Sequence, residues 1–177
     1  MNTPIATYRL QFRSEFGFQE ARRILLYLSE LGISHIYASP IFKARYGSTH
    51  GYDVVDPSQL NPELGTEEDF NDLIEDLHAQ GMGWLQDIVP NHMAYDTENR
   101  FLVDILEHGP NSEYGDFFDV EWEHLYEDFK GKILVPMLGQ FYGRCLESGE
   151  IVLDYDAAGL TVNYYHLRIP LRIESYA

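Results

Sequence analysis

Cys145 is the single cysteine in 177 residues, so no intrachain disulfide is expected. Basic residues are scarce as well. Twelve Lys and Arg face 29 Asp and Glu, a formal charge of -17. A field of that sign repels phosphate backbones and anionic headgroups, which argues against nucleic acid and membrane surfaces as partners; plain solubility is its simplest use. Met1 to Leu10 lacks a basic segment followed by an apolar stretch, so no secretory signal is expected. No apolar run approaches the roughly 20 residues of a membrane span. Low-complexity tracts and internal repeats are missing, and an aromatic content of 14% speaks against long disorder. A soluble protein of the cytoplasm is expected.

What is present is an alternation of short elements. Residues 5–12, IATYRLQF, are β-branched and aromatic and predict a strand. Ala21, Ile24, Leu25, Leu28 and Leu31 then recur at helical spacing across 19–31, with Gly32 as a stop. A second strand is expected over 33–38, ended by Ser39-Pro40, and a long loop follows. Thr66 and Asp69 have the form of a capping box, opening a helix with Phe70, Leu73, Ile74 and Leu77 on one face and ending near Gly81. A third strand is expected over 84–89, before Pro90. This order predicts βαβ units, a parallel sheet, and both helices on one side of it. It fits a doubly wound sheet or a (β/α) barrel. From about Tyr95 the rhythm fails, and 98–150 reads as irregular. Strand-like runs return at Ile151–Tyr155 and Leu160–Ile169, the pattern of a small β-rich subdomain.

In parallel α/β folds ligand contacts gather at the carboxyl ends of strands. Two polar segments follow strands here: Ser39 to Asp56, and Asp87-Ile88-Val89-Pro90-Asn91-His92. In the second, strand alternation puts Asp87 and Val89 on one face, and a neutral His92 can donate to a hydroxyl. The plainer alternative is that Asp87 caps a loop and His92 lies on the surface. In the first, Gly47 and Gly51 let the backbone turn tightly and present His50 and Tyr52. A tyrosine ring suits the apolar face of a pyranose, although core packing explains a tyrosine equally well. His50, Asp53, Asp56, Asp87 and His92 lack the spacing of a transition-metal site, and none is expected. Neither GxGxxG nor GxxxxGK[ST] is present. Ser39 has no GxSxG elbow, and Cys145 has no nearby base.

The run Asp87-Ile88-Val89-Pro90-Asn91-His92 resembles the DxVxNH motif of the α-amylase superfamily, glycoside hydrolase family 13. His50-Gly51-Tyr52, with Asp56 four positions after Tyr52, resembles its HGYxxxD motif. The longer stretch from Ser39-Pro40 through Ala44-Arg45 and Gly47-Ser48-Thr49-His50-Gly51-Tyr52-Asp53-Val54-Val55-Asp56-Pro57 is similar to the maltooligosyl trehalose synthase branch. Asn61-Pro62-Glu63-Leu64-Gly65 and Gly109-Pro110 also fit that branch, whereas Tyr46 stands where it usually carries proline.

The resemblance implies an α/β fold: the first three strands of a TIM (β/α)8 barrel over 1–97, and an irregular α/β insertion after strand three over 98–177. It implies rearrangement of a maltooligosaccharide's reducing-end α-1,4 linkage into an α,α-1,1 linkage, without a cofactor. Retaining chemistry of that kind uses two carboxyls about 5–5.5 Å apart. In the family these follow later strands, so the isolated chain is expected to be inactive, and marginal in stability because its sheet keeps open edges. By resemblance, Tyr52 stacks on the sugar while His50 and His92 bond its hydroxyls. Asp87 holds an arginine from the fourth strand, Asp56 and Asn91 are structural, and no calcium is expected. The aromatic insertion is the candidate to exclude water. Expected partners are the maltooligosaccharide and the trehalose-releasing hydrolase that acts on the product. Another amylase-type glucan hydrolase and a non-catalytic carbohydrate-binding piece are the alternatives.

Overall fold

The computed structural model describes residues 3–157 and 159–176 and divides into two compact units, Met1–Ala94 and Tyr95–Ala177. The first unit is built on three parallel strands, β1 (Thr7–Leu10), β2 (His35–Ala38) and β5 (Gly83–Gln86), in the order β1-β2-β5. Leu10 pairs with Ala38, and Ala38 with Gln86, so the three carboxyl ends are level. Between β1 and β2 run α1 (Phe18–Arg23) and α2 (Leu25–Glu30); α3 (Glu67–Ala79) precedes β5. The helices cover one face of the sheet. Phe18, Ala21, Leu25, Leu28, Leu73 and Leu77 bury themselves against Leu10, Ile36 and Ala38. Arg22 of α1 ties α3 by ion pairs to Asp72 (2.6 Å) and Asp76 (2.5 Å), and the Phe18 and Phe70 rings meet at 5.2 Å.

A single helix was expected over 19–31, and two short ones are found. The Ile24 N–H reaches the Ala21 carbonyl, three residues back, and this tighter turn breaks the α-helical ladder. The expected long loop contains an antiparallel pair, β3 (Phe42–Ala44) and β4 (Val54–Leu60), whose register shifts twice. Strand β5 is shorter than the expected 84–89. Beyond Gln86 its partner β2 has ended, and the Gln86 side-chain amide donates to the carbonyls of Ser39 (3.1 Å) and Asp87 (2.8 Å) in place of a continuing ladder.

The capping box forms as read. Thr66 Oγ1 accepts from the Asp69 N–H at 3.1 Å, and Asp69 Oδ2 accepts from the Thr66 N–H at 2.8 Å. Thr66→Ala is expected to lower stability by about 1 kcal/mol, read as a shift of the urea midpoint at constant slope. An unmoved midpoint would show that the start of α3 does not depend on this cap.

The second unit holds a helix inside the stretch read as irregular: α4 (Arg100–His108), capped by Asn99 Oδ1, which accepts from the Leu102 N–H at 3.2 Å. Its buried residues Phe101 and Ile105 are spaced by four. Phe101 stacks on Phe117 (5.0 Å) and meets Tyr114 edge-on (5.1 Å). After α5 (Tyr142–Glu147), strands β6 (Ile151–Asp156), β7 (Gly159–Tyr164) and β8 (Leu167–Pro170) form an antiparallel sheet. The run expected over 160–169 is thus two strands, parted at Tyr165, whose φ of 51° turns the chain.

Candidate functional site

Strand alternation places Leu10 and Ala38 in the core and sends Arg9 and Tyr37, which pair in register, to the face opposite α1, α2 and α3. Asp87 stands just past β5, and its N–H donates to the Ala38 carbonyl at 2.9 Å. Its carboxylate gathers three donors on one oxygen. Oδ2 accepts from the Tyr52 hydroxyl (2.6 Å), the Tyr37 hydroxyl (3.1 Å) and the Arg9 guanidinium (3.3 Å). Arg9 also donates to the Tyr52 hydroxyl oxygen (3.0 Å) and to Gln11 Oε1 (3.1 Å), and lies 5.0 Å over the Tyr37 ring. The electrostatics follow from these bonds. The Tyr52 O–H bond, helped by Tyr37 and Arg9, holds the Asp87 carboxyl below the ordinary carboxylate range. The same bond holds the Tyr52 phenol above its ordinary range, against the opposing pull of Arg9. Tyr52 therefore stays protonated and donating at neutral pH.

The loop that carries Tyr52 is shaped by its own polar bonds. Gly47 and Gly51 adopt φ of 73° and 77°, and the Gly51 N–H donates to Ser48 Oγ at 3.0 Å. His50 Nδ1 accepts from the Tyr52 N–H at 3.0 Å, which leaves its proton on Nε2 as an outward donor while the ring is neutral. The His50 and Tyr52 rings stack at 6.0 Å. His92 differs. It is exposed, and its Nδ1 donates to Asn91 Oδ1 at 3.1 Å, so the Nε2 of the neutral ring accepts rather than donates.

The structure thus brings Tyr52, His50 and Asp87 together, whereas the bond described for His92 is to Asn91. Asp56 is buried in β4 and accepts from the Ser58 N–H (2.9 Å), the Ser58 hydroxyl (2.6 Å) and Gln59 (3.1 Å), bonds that shape its own turn. The sequence reading missed Arg9, Gln11 and Tyr37. Among the described residues, the arginine that bonds Asp87 is Arg9 of the first strand. A signal existed, since Arg9 is a charge at the centre of an otherwise strand-like run. No group of three His, Cys, Asp or Glu among the described residues is placed to hold a metal ion, and no described helix is long and apolar enough to cross a membrane. The second unit has a cavity of about 560 Å³, whose lining includes Phe117, Phe118, Trp122, Glu113, Asp116 and Asp119.

The alpha amylase catalytic-domain family matches residues 22–144, more than half of the chain. The chain belongs to the alpha-amylase family. Among alpha-amylase relatives, a Mycobacterium tuberculosis protein named for maltooligosyl trehalose synthase is 42% identical over 172 residues, covering 93% of this chain and 20% of its own length. A crystal structure of maltooligosyl trehalose synthase superimposes with a TM-score of 0.84 at 39% identity, over 95% of this chain and 22% of that one. A maltogenic alpha-amylase of Bacillus acidopullulyticus is 40% identical over 94 residues, 53% of this chain and 15% of its own length. The chain therefore spans about a fifth of the length of the synthase relatives.

Proposed function

We propose that this chain is the substrate-positioning part of an enzyme that rearranges maltooligosaccharides into maltooligosyl trehalose by intramolecular transglycosylation. Residues 1–97 would supply the first three strands of a catalytic (β/α)8 barrel, and 98–177 an insertion after the third. The observation that carries this is the 2.6 Å bond from Tyr52 to Asp87, which joins the HGY loop to the DxVxNH segment at the carboxyl rim of a parallel sheet. Tyr52 offers a ring face to a pyranose, His50 offers an N–H, and His92 an acceptor for a sugar hydroxyl. Among the described residues the donors to Asp87 all land on Oδ2, so Oδ1 is open to a hydroxyl. Asp56 and Asn91 organise loops. The nucleophile and the general acid would come from outside these residues, leaving the chain inactive by itself. A cytoplasmic setting and a trehalose-releasing hydrolase acting on the product belong to the same proposal.

Extent of likeness favours the synthase over the hydrolase: the synthase relative matches 93% of this chain and the maltogenic amylase 53%. The test is a chimera in which residues 1–177 replace the matching segment of the Mycobacterium tuberculosis relative, supplied with maltopentaose. Loss of reducing ends without release of glucose or maltose is expected. Tyr52→Ala in the chimera is expected to lower kcat/KM about tenfold, with Tyr52→Phe between it and the parent. Net hydrolysis would favour the amylase reading, and a folded chimera that leaves maltopentaose untouched would overturn both.

A further inference from the structure

We propose that Arg9, braced by Gln11, is the positioning residue that locks Tyr52 and Asp87 into one rigid unit. Its value as a sugar-site device rests on the function proposed above; the lock itself rests on geometry alone. Tyr52 sits on a loop 35 positions from Asp87, and a single phenol–carboxylate bond fixes a distance but not the orientation of the ring. The guanidinium supplies the missing constraints. One nitrogen bonds Asp87 Oδ2 and the other bonds the Tyr52 oxygen, closing a three-membered circuit of hydrogen bonds. Its plane rests over Tyr37, which donates to the same carboxylate oxygen. A planar fork with several fixed donors can hold all of these at once, and an ammonium cannot.

Gln11 completes the lock from the other side. Its Oε1 accepts from Arg9, and its Nε2 donates to the His50 carbonyl at 3.2 Å. One strand end therefore grips both flanks of the HGY loop: Arg9 takes Tyr52, and Gln11 takes His50. The arrangement also places a positive charge against a carboxylate in a chain whose net charge is -17, where further acidic groups would not hold Asp87.

The test uses the 177-residue chain with 13C-labelled tyrosine and aspartate, the Tyr52 and Asp87 signals being assigned from Tyr52→Phe and Asp87→Asn. Arg9→Met is expected to raise the titration points of both Tyr52 and Asp87, because Arg9 pulls both groups downward. Arg9→Lys is expected to restore part of each shift, and Gln11→Leu to move them the same way by less. The Gln11→Leu comparison keeps the question answerable if Arg9→Met fails to fold. Maltopentaose is expected to perturb the Tyr52 signal in the parent and to bind about tenfold more weakly to Arg9→Met. Unchanged Tyr52 and Asp87 titrations in a folded Arg9→Met chain, or in Gln11→Leu where only that variant folds, would overturn the lock. Shifted titrations in a parent that never responds to maltopentaose would overturn the sugar reading and leave the lock standing.

Discussion

Replacing Asp87 with alanine is expected to lower kcat/KM of the chimera for maltopentaose about a hundredfold and to remove about 2 kcal/mol of stability from the 177-residue chain. The variant strips the shared acceptor from two phenols and a guanidinium at once. Removing one partner of a buried ion pair costs more, about 3–5 kcal/mol, but Arg9 is 38% exposed and water can take up part of the lost bond. Asp87→Asn keeps an acceptor and should fall between the two. The pH dependence has a definite sign. The Asp87 carboxyl titrates below its unfolded value, chiefly because of the Tyr52 bond, so its stabilisation is complete above the unfolded pKa of about 3.9 and is lost as pH falls through the lowered folded value. The parent's advantage over Asp87→Ala in urea should therefore be flat from about pH 7 to 5 and shrink below about pH 4. An advantage that does not shrink at all as the pH falls below about 4 would show that Asp87 stabilises without its charge.

Gly51→Ala is expected to cost about 3 kcal/mol and to abolish turnover in the chimera. Two effects add. A φ of 77° strains any residue with a Cβ, and that Cβ would lie 2.8 Å from the carbonyl oxygen of Pro40. Backbone cannot step aside as a flexible side chain can, so the loop must move, carrying His50 and Tyr52 with it. Gly47→Ala is the control. Its φ of 73° is similar, but a Cβ there meets nothing within 4 Å, so it bears the strain alone, about 1 kcal/mol. Equal losses at the two positions would show that the approach to Pro40 is not what requires glycine at 51.

Much of the first unit was legible because its signals are local. The apolar spacing of 19–31, the Thr66–Asp69 box and the apolar face of α3 each lie within a few residues, and each appears close to where it was read. The failures are where pairing partners or short lengths decide. β3 has three residues and a slipping register, and β4 carries Pro57, so neither reads as a strand without the other. α4 does carry Phe101, Leu102, Ile105 and Leu106 at helical spacing, but over nine residues only, and the irregular aromatic and acidic stretch that follows masks so short a signal. The end of β5 depends on where β2 stops, which a window centred on 84–89 cannot contain.

The candidate site divides the same way. Sequence by itself determined that His50, Tyr52, Asp87, Asn91 and His92 stand in the α-amylase motifs, because residue type and spacing are properties of the chain. Only the tertiary structure decided that Arg9 reaches Asp87 across 78 positions, that Tyr37 and Tyr52 share its oxygen, and that the His92 ring turns its Nδ1–H to Asn91. Parallel strands align their carboxyl ends whatever their separation in sequence, and hydrogen bonds form between groups that the fold makes neighbours.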